Sequence, residues 1–120
     1  MRVMIAVLAA ATLSSSAHAG GDAAAGKTVF AKCAICHSTQ PTKTVLGPSL
    51  FGVVGRHSAS VEGYPYSDAM KKVDKTWDEA TLDAYLTDPK AMVPGTKMAF
   101  PGLPKPEDRA NVIAYLETFK

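Results

Sequence analysis

The chain has 120 residues, with 13 Lys and Arg against 11 Asp and Glu and a formal net charge of +2. So small an imbalance gives little long-range steering. There is also no phosphate-binding glycine loop and no base-stacking motif, so nucleic-acid binding has no support.

At the N-terminus Arg2 precedes an apolar run from Val3 to Leu13, followed by Ser14 to Ser16 and the small-residue site Ala17-His18-Ala19. This pattern predicts a secretory signal peptide over residues 1–19, cleaved after Ala19, and one exported domain over residues 20–120, in the periplasm. The run is far shorter than the roughly 20 residues a membrane span needs, so the mature form is expected to have no membrane anchor. Loss of Arg2 leaves it a formal charge of +1.

The first helix is predicted to start at Asp22, a good N-cap, and to run through Lys32 into Cys33-Ala34-Ile35-Cys36-His37. C-x-x-C-H is the signature of covalent haem attachment. Two thiols one helical turn apart can each add to a vinyl group of one porphyrin, and the next imidazole then meets the iron. A disulfide, a redox dithiol and half a zinc site share the C-x-x-C spacing. Zinc would need a second ligand pair, but the other histidines are His18, in the signal segment, and His57, alone in a Gly/Ser-rich stretch. A redox dithiol belongs after a strand in a βαβ unit, and no such unit follows. Cys33 and Cys36 are therefore read as thioether residues and His37 as the proximal ligand of one haem c. Gly26, inside the predicted helix, hints at close packing against another backbone.

From Thr39 to Val61 the chain is rich in Pro, Gly, Ser and Thr and lacks a helical period, which predicts loops ordered by packing on the cofactor. A short helix can start at Ser67. A better one follows Thr76-Trp77-Asp78-Glu79, which reads as a capping box, with Leu82, Tyr85 and Leu86 on one face and Asp88-Pro89 as its stop. The segment from Val93 to Gly102 reads as a turn-rich loop. The last helix is predicted from Pro106, with Glu107 and Asp108 at its positive end and Ala110, Ile113, Ala114 and Leu116 as its apolar stripe. Strand-period alternation is absent over any useful length. The expected class is all-α, several short helices and ordered loops wrapped around one haem.

A six-coordinate haem needs a second ligand, and the candidates are Met70, Met92, Met98 and His57. Met70 falls in a predicted helix and Met92 just before a proline, where gap-filling is the better reading. His57 sits in a polar turn and reads as a solvated loop residue. Met98 lies in Pro94-Gly95-Thr96-Lys97-Met98, a loop suited to presenting a thioether, and is the choice.

The ordered set of landmarks now becomes specific: the haem motif, Gly47-Pro48-Ser49-Leu50-Phe51-Gly52, Gly63-Tyr64-Pro65-Tyr66-Ser67-Asp68-Ala69, Trp77, Tyr85-Leu86, Pro89, the Met98 loop and Ile113-Ala114-Tyr115-Leu116. Over essentially the whole mature sequence the chain resembles class I cytochromes c, of the soluble bacterial type close to mitochondrial cytochrome c. The resemblance implies that Met98 ligates iron and that the Pro48 carbonyl accepts the outer N–H of His37, raising its basicity. It implies that Arg56, Tyr66, Trp77 and Thr96 hold or neutralise the haem propionates, that Tyr85 places its phenol near the methionine sulfur, and that Gly26 and Tyr115 meet where the first and last helices cross. The chain departs from the family at Met70, where many relatives carry an asparagine of an internal water network. It also departs in a shorter loop between His37 and Gly47, and in Pro104 and Pro106, which replace lysines.

With both axial positions filled by protein, the expected function is one-electron transfer rather than catalysis, by a monomer serving a cytochrome bc-type complex and an oxidase, reductase or photosynthetic reaction centre. Lys32, Lys43, Lys90, Lys97 and Lys105 flank the haem motif or the ligand loop and are candidates for a docking ring. A peroxidase-like enzyme or a gas or redox sensor would need Met98 to leave the iron. Because a domain of about a hundred residues has a limited core, the haem-free chain is predicted to fold poorly. Circular dichroism tests this, and a native-like helical signal with cooperative melting of the haem-free chain would contradict it.

Overall fold

The computed structural model describes residues 20–120, so the predicted signal peptide lies outside the described residues. Asp22 Oδ1 accepts the Ala24 N–H at 2.9 Å and opens helix α1, Ala23–Phe30. Regular α-bonding stops at Phe30, two residues earlier than the sequence pattern predicts. Beyond it the bonds alternate between i−3 and i−4 partners: the N–H groups of Cys33 and Ala34 both reach the Phe30 carbonyl, at 2.8 and 2.9 Å, and those of Cys36 and His37 both reach the Cys33 carbonyl, at 3.0 and 2.9 Å. This tightened turn, not a continuous helix, carries the cysteines and His37.

Helix α2, Asp68–Lys71, starts where predicted, with Ser67 Oγ accepting the Met70 N–H at 3.0 Å. Helix α3, Glu79–Thr87, is capped by Asp78, whose Oδ1 accepts the Thr81 N–H at 2.7 Å, and not by Thr76 as the capping-box reading has it. Trp77 explains the shift. Its N–H bonds the Arg56 carbonyl at 2.9 Å and its carbonyl accepts the Gly55 N–H at 2.8 Å, which holds the chain extended until Asp78. His57 and Thr76 form an isolated antiparallel bridge beside it. Asp88 ends α3 and at once caps helix α4, Pro89–Met92, a short element the sequence pattern does not reveal. Helix α5, Pro106–Glu117, starts at the predicted proline.

The class is all-α, as expected. Helix α1 packs on α5, and α3 packs on both α5 and α4. A Cβ at Gly26 would collide with the Asn111 carbonyl and come within 2.8 Å of Tyr115 Cβ, so the α1–α5 crossing requires the missing side chain. Phe30 and Tyr115 stack beside it with ring centroids 5.3 Å apart. Val93, Leu103 and Val112 lie deepest in the core. Among the described residues no helix is long and apolar enough to cross a membrane.

The buried face of α5 differs from the predicted stripe. Val112 belongs to it, Ala110 is only half-buried, and Arg109 is buried as well. The Arg109 guanidinium reaches Asp83 of α3 at 2.7 Å through Nε, and the Leu103 and Pro104 carbonyls at 2.8 and 3.2 Å through Nη1. It thus fastens α3, α5 and the segment between them. Arg109→Met should lower unfolding stability by about 2–3 kcal/mol, below the range for a fully buried pair because Asp83 is half exposed. Chemical denaturation checks this, and an unchanged midpoint would refute the fastening role.

Candidate haem site

Gly47 and Pro48 position His37. The Gly47 N–H bonds the Cys36 carbonyl at 2.7 Å, which draws the loop against the attachment turn. His37 Nδ1 then lies 2.8 Å from the Pro48 carbonyl oxygen and donates to it, leaving the Nε2 lone pair as the metal-binding face. A Cβ at Gly47 would stand 2.7 Å from Nδ1, so only glycine lets the backbone approach the ring this closely. Burial lowers the His37 pKa, the Pro48 bond partly opposes the shift, and the Arg56 charge adds to it. The net effect keeps the imidazole neutral, as a metal ligand must be.

Cys33 and Cys36 are free thiols, both half-buried. Burial raises the Cys33 pKa, the neighbouring Lys32 partly offsets it, and Cys36 adds to the rise. Among the described residues no cluster of three or more His, Cys, Asp and Glu could hold a metal ion, so a zinc reading of the two cysteines gains nothing from the fold.

Met98 sits in a closed circuit of polar contacts. The Tyr85 hydroxyl donates to Met98 Sδ at 3.6 Å, Thr96 Oγ1 accepts the Met98 N–H at 3.2 Å, and the Thr96 side chain also hydrogen-bonds the Tyr85 phenol. Burial pushes the Tyr85 pKa up to about 12, against the opposing effect of that Thr96 bond, so the phenol keeps its proton. The Thr96 N–H reaches the Val93 carbonyl at 3.0 Å, which anchors the circuit to the core. Trp77 packs against Tyr85 with centroids 4.9 Å apart.

Arg56 supplies the clearest test of fit. Its Nη1 donates to the Ser49 and Phe51 carbonyls at 3.0 and 3.1 Å, yet its Nε is the one buried side-chain nitrogen or oxygen without a hydrogen-bond partner among the described residues. No carboxylate pairs with it there. Burial lowers its pKa, and Tyr66 interacts with it electrostatically. The Tyr66 oxygen accepts the Val61 N–H at 3.0 Å, which leaves its own O–H free to donate. A half-buried cation with a buried, unused Nε donor beside a phenol suits an anionic group such as a haem propionate.

Of the other ligand candidates, Met70 and Met92 are half-buried and pack against the core, while the exposed His57 pairs with Asp74 at 3.1 Å. The sequence reading missed Ser49 and Ser58. Ser49 lends its carbonyl to Arg56, and its Oγ donates to the Gln40 carbonyl at 2.5 Å. Ser58 bonds the Val73 carbonyl and accepts the Lys75 N–H at 3.1 Å, tying the Arg56 loop to the chain before Trp77. A small hydroxyl residue in a turn-rich stretch carries no sequence signal that separates such a buried role from a solvated one.

The fold and site together define a small helical domain built around a tethered haem: paired thiols, a neutral oriented imidazole, a fixed thioether and a half-buried cation without a carboxylate partner among the described residues. Residues 23–120 match the Cytochrome c family, and the chain belongs to it. It is 54% identical to a cytochrome c2 of Rhodomicrobium vannielii over 118 residues, 97% of this chain and 94% of that protein. It is 48% identical to a cytochrome c of Nigella damascena over 99 residues, 81% of this chain and 89% of that protein. Among solved structures, cytochrome cH from Methylobacterium extorquens matches with a TM-score of 0.78 and 50% identity, covering 82% of this chain and 99% of that one. The cofactor is covalent haem c, and the chain is an electron carrier rather than an enzyme.

Proposed function

We propose that the chain is a periplasmic, monomeric one-electron shuttle whose haem is tethered by Cys33 and Cys36 and ligated by His37 and Met98. The observation that carries this reading is the circuit of Tyr85, Thr96 and Met98, in which the side chains of Tyr85 and Thr96 hold the thioether in place. A residue serving only to fill space would not need it. The haem supplies the ferric/ferrous couple.

The chain's own residues set how that couple behaves. His37 is held in one tautomer and orientation by Pro48, and Met98 is a soft, neutral donor that favours the ferrous state. Arg56 would neutralise propionate charge and Tyr66 would donate a hydrogen bond to it, with Trp77 and Thr96 as further propionate-holding residues. Packing of Trp77 and Tyr85 keeps water from the sulfur side and lowers the local dielectric, which disfavours the extra positive charge of the ferric state. Two protein ligands leave no open position for a substrate, which disfavours the peroxidase and sensor alternatives. A site already closed in both oxidation states rearranges little, so electron exchange is fast.

Export rests on the pattern of residues 1–19, with the mature domain spanning residues 20–120. The donor and acceptor are a cytochrome bc-type complex and an oxidase, another reductase or a photosynthetic reaction centre. Lys32, Lys43, Lys90, Lys97 and Lys105 are all exposed, as a docking ring for acidic partners requires.

Met98→Ala should preserve covalent haem attachment and lower the reduction potential by on the order of 100 mV or more, since axial ligation moves haem potentials over about 0.8 V. Spectroelectrochemical titration reads this directly. A variant with the parent's potential would show that Met98 is not the sixth ligand.

A further inference from the structure

The loop that carries Pro48 is fastened to the far end of α5. Beyond Glu117 the chain tightens, with the Thr118 and Phe119 N–H groups each reaching a carbonyl three residues back, those of Tyr115 and Leu116, at 3.1 Å. The Phe119 carbonyl then accepts the Gly52 N–H at 2.7 Å. Gly52 has a φ of 69°, in the left-handed region, so glycine is what lets the loop turn this N–H toward Phe119. A Cβ there would meet nothing within 4 Å, so the requirement is one of backbone conformation and not of space.

Phe119 is itself held. Its half-buried ring meets Tyr115 edge-on, with centroids 5.0 Å apart and planes at 82°, and Tyr115 meets Phe30 of α1 at 5.3 Å. The Phe30 carbonyl in turn accepts the Cys33 and Ala34 N–H groups. One side of the attachment turn therefore leads through three aromatic rings to Gly52.

The other side leads from Gly52 to His37. Ser49 Oγ accepts the Phe51 N–H at 3.2 Å, the Leu50 carbonyl accepts the Val53 N–H at 3.1 Å, and the Leu50 N–H reaches the Ser38 carbonyl, next to His37, at 2.8 Å. A segment braced in this way moves as a unit, so a shift at Gly52 is passed to Pro48. The contacts close a circuit in which Phe30, Tyr115, Phe119, Gly52 and Pro48 run from the cysteine turn back to the imidazole beside it.

We propose that Phe119 is a positioning residue for the proximal ligand: through Gly52 it holds the Pro48 carbonyl on His37 Nδ1, and so sets the basicity of the imidazole and with it the reduction potential. This rests on the reading that His37 ligates the haem iron, and deepens it by placing part of the control beyond the end of α5. A ring N–H held firmly by a carbonyl makes the imidazole a stronger donor, which favours the ferric state. Loosening that bond therefore raises the potential. A residue that only covered the end of the core would change stability and leave both the ring proton and the potential alone.

The test compares the haem-loaded parent with Phe119→Gly, which removes the ring and frees the backbone, and with Phe119→Tyr, which keeps the ring. In the ferrous Phe119→Gly protein the His37 Nδ1–H, followed by NMR, should exchange with deuterium about tenfold faster than in the parent, and the potential should be higher. Phe119→Tyr should keep the parent's rate and potential. Arg109→Met, which loosens the fold away from this loop, should leave both at the parent's values. A Phe119→Gly protein with the parent's exchange rate and potential would overturn the proposal. So would equal acceleration in Arg109→Met, which would trace the exchange to unfolding of the whole domain. A ferrous parent lacking the ring-current-shifted imidazole protons of an iron-bound His37 would instead defeat the ligation reading on which the proposal rests, an outcome distinct from either.

Discussion

The arrangement depends first on the 2.8 Å bond from His37 Nδ1 to the Pro48 carbonyl. An imidazole beside two tethering thiols is not yet a defined ligand, because its ring can rotate and either nitrogen can carry the proton. The Pro48 bond removes both freedoms, and burial keeps the ring neutral. Gly47 is what allows it, since any Cβ there would enter the space of the ring. Proline and glycine, which usually mark a loop as a place of conformational freedom, here make the loop the stiff side of the site.

The opposite side of the site is built by another device. Met98 has no strong hydrogen-bonding group, so its position must come from neighbours that do. Thr96 serves the Met98 backbone and the Tyr85 phenol at once, and Tyr85 in turn points its proton at the sulfur. The elevated Tyr85 pKa is part of this design, because only the protonated phenol can donate. Further round, Arg56 keeps a positive charge half-buried with one donor unused. Taken alone that is an energetic liability, which an anion bound there would relieve. The same structure that costs the protein stability without its cofactor gives the cofactor a defined seat.

Much of this was legible in the residues. The haem motif was readable because covalent attachment demands a fixed spacing, and helix starts at Asp22, Ser67 and Pro106 were readable because capping chemistry is local. The misreadings arose where distant contacts override local pattern. Trp77, clamped by Gly55 and Arg56, postpones α3 by two residues and hands the cap from Thr76 to Asp78. Arg109 carries no local signal that separates it from a solvated charge at the start of α5, yet it is buried because carbonyls from the Leu103 segment and the Asp83 carboxylate converge on it. The loop from Thr39 to Val61 was recognisable as irregular, but the side-chain bonds through Ser49 and Ser58 that order it join residues up to 17 positions apart and leave no periodic trace.

The central claim is that His37 and Met98 close the iron from both sides, and the ferric near-infrared spectrum of the haem-loaded protein tests it most directly. A methionine-sulfur-to-iron charge-transfer band at neutral pH is the predicted result, since it arises only when a thioether is bonded to ferric haem. A ferric protein with covalent haem and no such band would contradict the account, because the sulfur that Tyr85 and Thr96 hold would then not be on the metal.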